Sequence, residues 1–298
     1  RIREDHREIS GMNEKLAGLL AVVLACIFWG TSFSVSKMLL TQVSPFELAF
    51  TRFLLASIFS FFLFFPKVRT APLKWEYQKH LFMAGFLGVT LYFIFENWGL
   101  KFTSASEGAL LVGSFPALSL MLEMFKDKKS PSLNRVLGIA LSLLGVTFIV
   151  GNAGIKLNID NLFGDFLILL SGLSWILYNR QIKRVNHIYP YEVLTTFQMI
   201  YGTILFIPLL SFTGLSFPKG TEGILGVLYL AFFCSALGYL LYNYGLRRLE
   251  LTQVVNTLNL IPLFGAIWGV IFLRETLGVW EILGGVLIIL GVSLTTWR

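Results

Sequence analysis

Charge is scarce in this 298-residue chain. Only 14% of residues are Asp, Glu, Lys or Arg, against roughly a quarter in ordinary soluble domains. Cysteine is scarcer still: Cys26 and Cys234 each sit inside an apolar run. They supply neither a disulfide framework nor a metal cluster, and both read as small buried hydrophobes. The three histidines, His6, His80 and His187, lie scattered in or beside loops, so no metal site is expected. No His-Glu-x-x-His, Gly-x-Ser-x-Gly or Gly-rich phosphate loop occurs. Known catalytic motifs are therefore missing, and neither an enzyme nor a cofactor is expected. No linker between apolar runs is long enough to hold a soluble or nucleotide-hydrolysing domain.

What the chain has in abundance is apolar surface. Apolar residues make up 55% of it and aromatics 15%, with 28 phenylalanines. A water-soluble fold of this length cannot bury that much, and disorder requires the opposite composition. The composition predicts an all-α integral membrane protein. Ten runs approach the roughly 20 apolar residues that cross a hydrocarbon core. They are 16–37, 45–65, 80–100, 104–124, 133–150, 163–184, 191–211, 221–246, 251–272 and 278–297. They are continuous rather than alternating, which argues against barrel strands. The first run is too long for a signal-peptide core and ends without a good cleavage site, so it reads as a retained helix. Residues 1–15 read as an N-terminal cytoplasmic tail, with the polar stretch 1–11 before Met12 as a leader or short tail.

The net charge is +7. Its basic residues lie in short loops between apolar runs, which speaks against nucleic acid as a partner. In a bilayer that placement reports orientation. With the N-terminus in the cytoplasm, fifteen Lys and Arg fall on the inner side and five on the outer, leader aside. Both termini are therefore expected on the cytoplasmic face of the inner (cytoplasmic) membrane. Lys126 is expected inside and Lys156 outside. Nothing in the sequence specifies an oligomeric state.

An offset of 146 residues superimposes the chain on itself. Trp29 maps to Trp175, Lys37 to Lys183, Asn97 to Asn243 and Pro116 to Pro262. Gly138 and Gly145 map to Gly284 and Gly291, and Pro45 and Glu47 map to Pro190 and Glu192 at offset 145. Two repeats follow, 16–150 and 163–297, with five helices each. Five is odd, so the second repeat enters the membrane from the opposite side. An inverted repeat of this kind builds alternating-access transporters, because two similar halves of opposite orientation can exchange conformations.

Several stretches carry a family likeness. They are Phe28-Trp29-Gly30-Thr31-Ser32-Phe33 with Lys37, Pro45-Phe46-Glu47 leading to Arg52, and Gly99-Leu100-Lys101-Phe102-Thr103-Ser104-Ala105 through Pro116. Leu260-Ile261-Pro262-Leu263, Leu273-Arg274-Glu275-Thr276 and Gly284-Gly285 through Gly291-Val292 follow. In their order and spacing the chain resembles the EamA-type drug/metabolite transporters. The first repeat departs from the pattern, because Met124-Phe125-Lys126-Asp127 stands where the second has Leu-Arg-Glu-Thr. The resemblance implies ten helices in two inverted halves and movement of a small metabolite across the cytoplasmic membrane, commonly efflux.

The polar residues inside the apolar runs are the candidate site. An ionisable group near the midplane costs roughly 2.5–3.5 kcal/mol on insertion scales, so each needs a partner or a wet cavity. Arg52, Glu96 and Glu107 all fall in the outer half. Arg52 is open to two roles: a fixed ion pair with Glu96 or Glu107, or a contact to a substrate carboxylate. Taking up a proton relieves the cost of a buried carboxylate, which makes Glu96 the proton-coupling candidate. Asn97 and Asn243 either bond across to a neighbouring helix or touch substrate. In the ninth run Asn256 and Asn259 share a helical face, expected to point into the pathway with Gln253, the repeat mate of Glu107. Trp29, Ser32 and Phe33 in the first run match Trp175, Tyr178 and Asn179 in the sixth, and with Tyr239 they are expected to line the passage. Pro116 and Pro262 sit mid-run, where each removes a backbone bond and is expected to kink its helix. The expected partners are a small-molecule substrate, the lipid bilayer and a coupling proton.

Overall fold

The computed structural model describes the backbone of residues 2–103, 105–127, 131–151, 159–273 and 278–296, and every regular element among them is helical. In chain order the α-helices are α1 (Ile2–Leu39), α2 (Pro45–Val68), α3 (Trp75–Gly85), α4 (Tyr92–Phe102), α5 (Ala105–Val112), α6 (Phe115–Asp127) and α7 (Leu133–Gly151). The second set is α8 (Ile159–Val185), α9 (Tyr191–Phe206), α10 (Gly220–Tyr229), α11 (Gly238–Arg248), α12 (Leu251–Thr257), α13 (Leu260–Leu273) and α14 (Val279–Thr296). Six helical stretches are long and apolar enough to cross a membrane: Gly11–Leu39, Pro45–Val68, Trp75–Phe102, Asn161–Val185, Tyr191–Phe212 and Gly220–Arg248. Shorter apolar helices accompany them, Phe115–Phe125, Leu133–Phe148 and Ile282–Thr295. The molecule is a multi-pass membrane protein. Lys126 (side chain), Lys156, Ser104 and Glu275 lie outside the described residues.

Local chemistry sets where helices begin. Ser44 Oγ accepts the Glu47 amide at 3.3 Å while Glu47 Oε2 accepts the Ser44 amide at 2.7 Å. This capping box, with Pro45 at the first helical position, starts α2. The expected fourth and ninth spans are broken rather than kinked. α5 stops at Val112 and α6 restarts at Phe115, while α12 stops at Thr257 and α13 restarts at Leu260. Pro116 and Pro262 thereby fall in the first turn of the second piece, where a missing N–H leaves no bond unmade.

Two further interruptions left no trace in the composition. Phe86–Leu91, between α3 and α4, and Leu230–Leu237, between α10 and α11, are wound as π-helix. Residues 232–237 are the repeat mates of 86–91. Carbonyls in these wider turns are met by side chains instead. Ser174 Oγ donates to Leu87 O at 2.7 Å, Tyr239 Oη to Gly88 O at 2.5 Å and Trp29 Nε1 to Cys234 O at 2.7 Å. π-turns inside α-helices occur frequently at functional sites.

The repeats run in opposite directions through one bundle. Thr103 Oγ1 donates to Asp165 Oδ1 at 2.7 Å, and Gly99 faces Gly164 across a backbone-close approach. The start of α8 thus lies beside the end of α4, and α8 runs back along the bundle. Lys37 and Lys183 consequently occupy opposite ends. Contacts recur as swapped mates: Gly18 meets Gly245 as Gly164 meets Gly99. α7 and α14 pack on each other through glycine. A methyl on Gly138 would sit 2.7 Å from Gly291 O, and one on Gly145 would sit 2.5 Å from Gly284 O. Small residues permit this approach where lipid provides no hydrophobic drive between helices.

Candidate functional site

A cavity opens toward the Lys37 end, between the repeats. α1 contributes Trp29, Ser32 and Phe33, α2 contributes Arg52, and α4 contributes Tyr92, Phe93 and Glu96. Val112 and Phe115 flank the break between α5 and α6, and their repeat mates Leu258 and Ile261 flank the break between α12 and α13. Trp175 from α8 and Tyr239 from α11 complete the wall. Both helix breaks thus border the cavity, and Tyr92 and Tyr239 stand just after the two π-turns. A water molecule's centre can move through about 30 Å³ of the space, room for about two waters.

Arg52 is 2% exposed and Glu96 6%. Arg52 Nε donates to Ser235 Oγ, on the π-turn before α11, at 2.6 Å. Its guanidinium carbon lies 4.5 Å from the Phe93 ring centre and 5.3 Å from that of Phe53, so two rings replace part of its lost hydration. Tyr92, one turn before Glu96, turns its hydroxyl toward that carboxyl. Among the described residues Arg52 makes no ion pair with Glu96; the ion pairs described lie at Lys67–Glu192 and around Arg135. A hydrogen bond to Ser235 and the flanking rings hold Arg52 in place. Both groups keep a face open to the cavity. The Glu107 side chain lies outside the described residues.

An aromatic cluster forms the floor. Trp29 and Trp175, repeat mates, meet edge to face with centroids 5.7 Å apart. Tyr239 lies 5.9 Å from Trp29 and 5.5 Å from Trp175. Apolar, flat walls of this kind suit the carbon skeleton of a solute, while Arg52 and Glu96 offer one charge of each sign.

At the opposite end the mates of Ser32, Phe33 and Glu96, namely Tyr178, Asn179 and Tyr242, are fully enclosed. Ser32, whose hydroxyl folds back onto Trp29 O at 2.8 Å, leaves space. Its mate Tyr178 fills the corresponding volume and lies directly against Gly88, where a methyl would overlap the ring. Tyr178 Oη reaches Asn243 Oδ1 at 2.8 Å and Gln198 Oε1 at 3.2 Å. Asn243 Nδ2 donates to Thr195 Oγ1 at 3.0 Å, and Trp175 Nε1 to Tyr242 Oη at 3.1 Å. Farther out, Gln78, Tyr189 and Tyr201 share hydrogen bonds of 2.6–3.0 Å. Burial pushes the Tyr189 phenol above its ordinary value, with the Gln78 bond pulling the other way.

The structure brings Trp29, Ser32, Phe33, Arg52, Glu96, Trp175 and Tyr239 to the cavity wall. The other sequence candidates sit elsewhere. Asn97 Nδ2 donates to Pro45 O at 3.1 Å, tying α4 to the start of α2. Tyr178, Asn179 and Asn243 belong to the closed end. Asn256 turns away from the expected pathway: its amide donates to Thr295 Oγ1 at 2.8 Å and Gly291 O at 3.3 Å. Asn259 donates to Asn256 Oδ1 at 3.2 Å, and Gln253 donates to Thr295 O at 3.3 Å. This polar face binds α14, because an amide can meet a backbone carbonyl on a neighbouring helix as readily as it can meet water. Apolar Leu258 and Ile261 face the cavity instead. Tyr92, one turn from Glu96, was legible by spacing but was missed, and Ser235 carried no signal.

Comparisons with known proteins agree with this architecture. The EamA-like transporter family matches residues 16–151 and again 162–297. A protein described as an uncharacterized transporter of Archaeoglobus fulgidus is 32% identical over 289 residues, covering 96% of this chain and 98% of that protein. The uncharacterized transporter YyaM of Bacillus subtilis is 30% identical, covering 89% of each. A solved crystal structure superposes with a TM-score of 0.75 at 19% identity, over 93% of this chain and 96% of that one.

Proposed function

The chain belongs to the EamA-like transporter family, and on that premise we propose that it is a secondary transporter working by alternating access. Its cargo is a small organic metabolite, an amino acid or related compound or drug. It exports that cargo across the cytoplasmic membrane. Ten spans form two inverted five-helix repeats, and the Lys and Arg distribution places both termini in the cytoplasm. The Lys37 end then faces outward.

One observation carries the reading: two buried groups of opposite charge share a cavity without pairing with each other. An unpaired charge in the membrane is costly. A solute carrying the complementary groups would remove that cost, with its carboxylate on Arg52 and its cation at Glu96. Glu96 accepts a proton in the coupled cycle when the solute leaves. In this reading a gradient of the solute or of protons supplies the work.

A thermal-shift screen across amino acids, nucleosides, sugar phosphates and cationic drugs finds the solute, because a ligand of the folded state raises its melting point. Flux of that solute into liposomes should rise with an imposed proton gradient. Glu96→Gln should abolish the rise while leaving ungraded flux measurable. Unchanged gradient dependence would remove Glu96 from coupling and leave a facilitator or exchanger. Turnover of a lipid with no flux would replace transport by an intramembrane enzyme.

A further inference from the structure

The two ends differ in chemistry as well as in openness. At the Lys37 end the cavity holds Ser32, Phe33 and Glu96. Their repeat mates at the other end are Tyr178, Asn179 and Tyr242. Arg52 maps to Phe197 at the local offset of 145, with Gln198 next to it. A charged set on one side thus answers to a wholly neutral set on the other.

The neutral set holds unused hydrogen-bonding capacity. Asn179 is fully enclosed, and its amide lies beside the Tyr242 hydroxyl without a well-formed hydrogen bond. Gln198 is fully enclosed too, and its Nε2 has none. Leaving a buried polar atom unsatisfied costs about 1–3 kcal/mol, and native interiors retain few such atoms. Meanwhile Asn243 Oδ1 and Gln198 Oε1 converge on a single hydroxyl, that of Tyr178. Several charged side chains on the same helices are engaged elsewhere, and Arg184 is exposed. Arg180 reaches Leu122 O, Lys183 caps the end of α11, Glu192 pairs with Lys67, and Arg248 covers Tyr244.

We infer that Asn179, Gln198 and Asn243 form a second, charge-free solute station at the Lys183 end, held shut in this state by the Tyr178 phenol. The inference rests on the transporter reading above. The Tyr178 hydroxyl occupies the place of the solute's polar head group. When the bundle exchanges its ends, Tyr178 swings off Gly88 and the three amides meet the head group with donors and acceptors but no charge. A solute gripped through Arg52 and Glu96 at one end is released from neutral hydrogen bonds at the other.

Cysteine labelling tests this without knowing the solute. The protein carries Cys26→Ala and Cys234→Ala, with Asn179→Cys or Gln198→Cys added, in liposomes accessible from one face at a time. The probes are two membrane-impermeant methanethiosulfonates, one with a trimethylammonium head and one with a sulfonate head. The new thiol should react from the Lys183 face and not from the Lys37 face. Both probes should react at similar rates, within about threefold, because no local charge concentrates either. Tyr178→Phe, which removes the tether to Asn243 and Gln198, should speed labelling several-fold. A rate ratio above about ten between the probes would overturn the charge-free character. Silence of both thiols from the Lys183 face, with Ser32→Cys reactive from the Lys37 face, would overturn the station and leave the entry cavity standing. Silence of Ser32→Cys as well would overturn the transporter reading and the station with it. Gln198→Cys also serves as the second variant should Asn179→Cys fail to run as a single species on gel filtration.

Discussion

The Lys37 and Lys183 ends are built from matched sequence and share the same helix-end chemistry. Lys37 Nζ caps the carbonyls of Leu100 and Thr103 at the end of α4. Lys183 Nζ caps those of Leu246 and Leu249 at the end of α11. Every partner is offset by 146 residues. Inside these matched caps, a few substitutions set the ends apart. Ser32 lines an opening, whereas Tyr178 against Gly88 closes one. Glu96 brings a charge where Tyr242 brings a phenol. The lesson is that the scaffold keeps the symmetry while a few side chains break it. The Lys183 end has one further tie. Arg135 pairs with Glu250 and lies 3.9 Å from Glu123, which accepts from Thr252 at 3.2 Å.

The comparison breaks most sharply if the size difference is reversed. Ser32→Tyr should fill the cavity and reduce solute flux in liposomes by about a hundredfold, the equivalent of roughly 3 kcal/mol. Flux near the parent level would mean that the cavity is not the route. Tyr178→Ser should open the other end and lose two hydrogen bonds as well as ring packing, destabilising the protein by about 3–5 kcal/mol. Chemical or thermal denaturation in detergent reads this directly.

A smaller effect belongs to the seam that both ends share. Gly145→Ala places a methyl against the Gly284 carbonyl and should cost about 1–3 kcal/mol through overpacking of α7 on α14. Relative labelling of the two ends should stay unchanged, and a one-sided response would make that seam part of the gate. Smaller again, Lys37→Met and Lys183→Met should each lower stability by about 1 kcal/mol through loss of a helix C-terminal cation. Similar shifts would confirm the caps as equivalent, while a difference above about a factor of two would not fit the dipole effect alone. Smallest is Arg135→Gln. The cluster is partly exposed, so screening by solvent and salt leaves at most about 1 kcal/mol. That loss should vanish at high salt and should favour opening of the Lys183 end.

Much of this was legible before any coordinates. Trp29, Arg52 and Glu96 stood out because each is a large or charged residue in a run that has little reason to hold one. Asn256 and Asn259 stood out equally and were read toward the pathway. Their spacing identified a shared face, but spacing does not reveal which neighbour that face meets. Here the neighbour is Thr295 and the bare backbone at Gly291. The π-turns escaped notice because Phe86–Leu91 and Leu230–Leu237 have the composition of any apolar helix. Their signature is a hydrogen-bond register, and the side chains that satisfy it come from residues such as Ser174 and Trp29, far away in sequence.

The sequence by itself determined that this chain lives in a bilayer, that it is two copies of one unit, and that Ser32, Glu96, Tyr178 and Tyr242 break their likeness. Those facts depend only on composition, run length and correspondence between positions. Only the tertiary structure decided that Arg52 rests on Ser235 rather than pairing with Glu96, that an opening lies beside them, and that the amides of Asn179 and Gln198 are enclosed without a full set of hydrogen bonds. The physical reason is that a long-range contact depends on the angle and depth at which helices cross. Those are fixed by all the close approaches together, among them Gly99 on Gly164 and Gly145 on Gly284, and by no single segment.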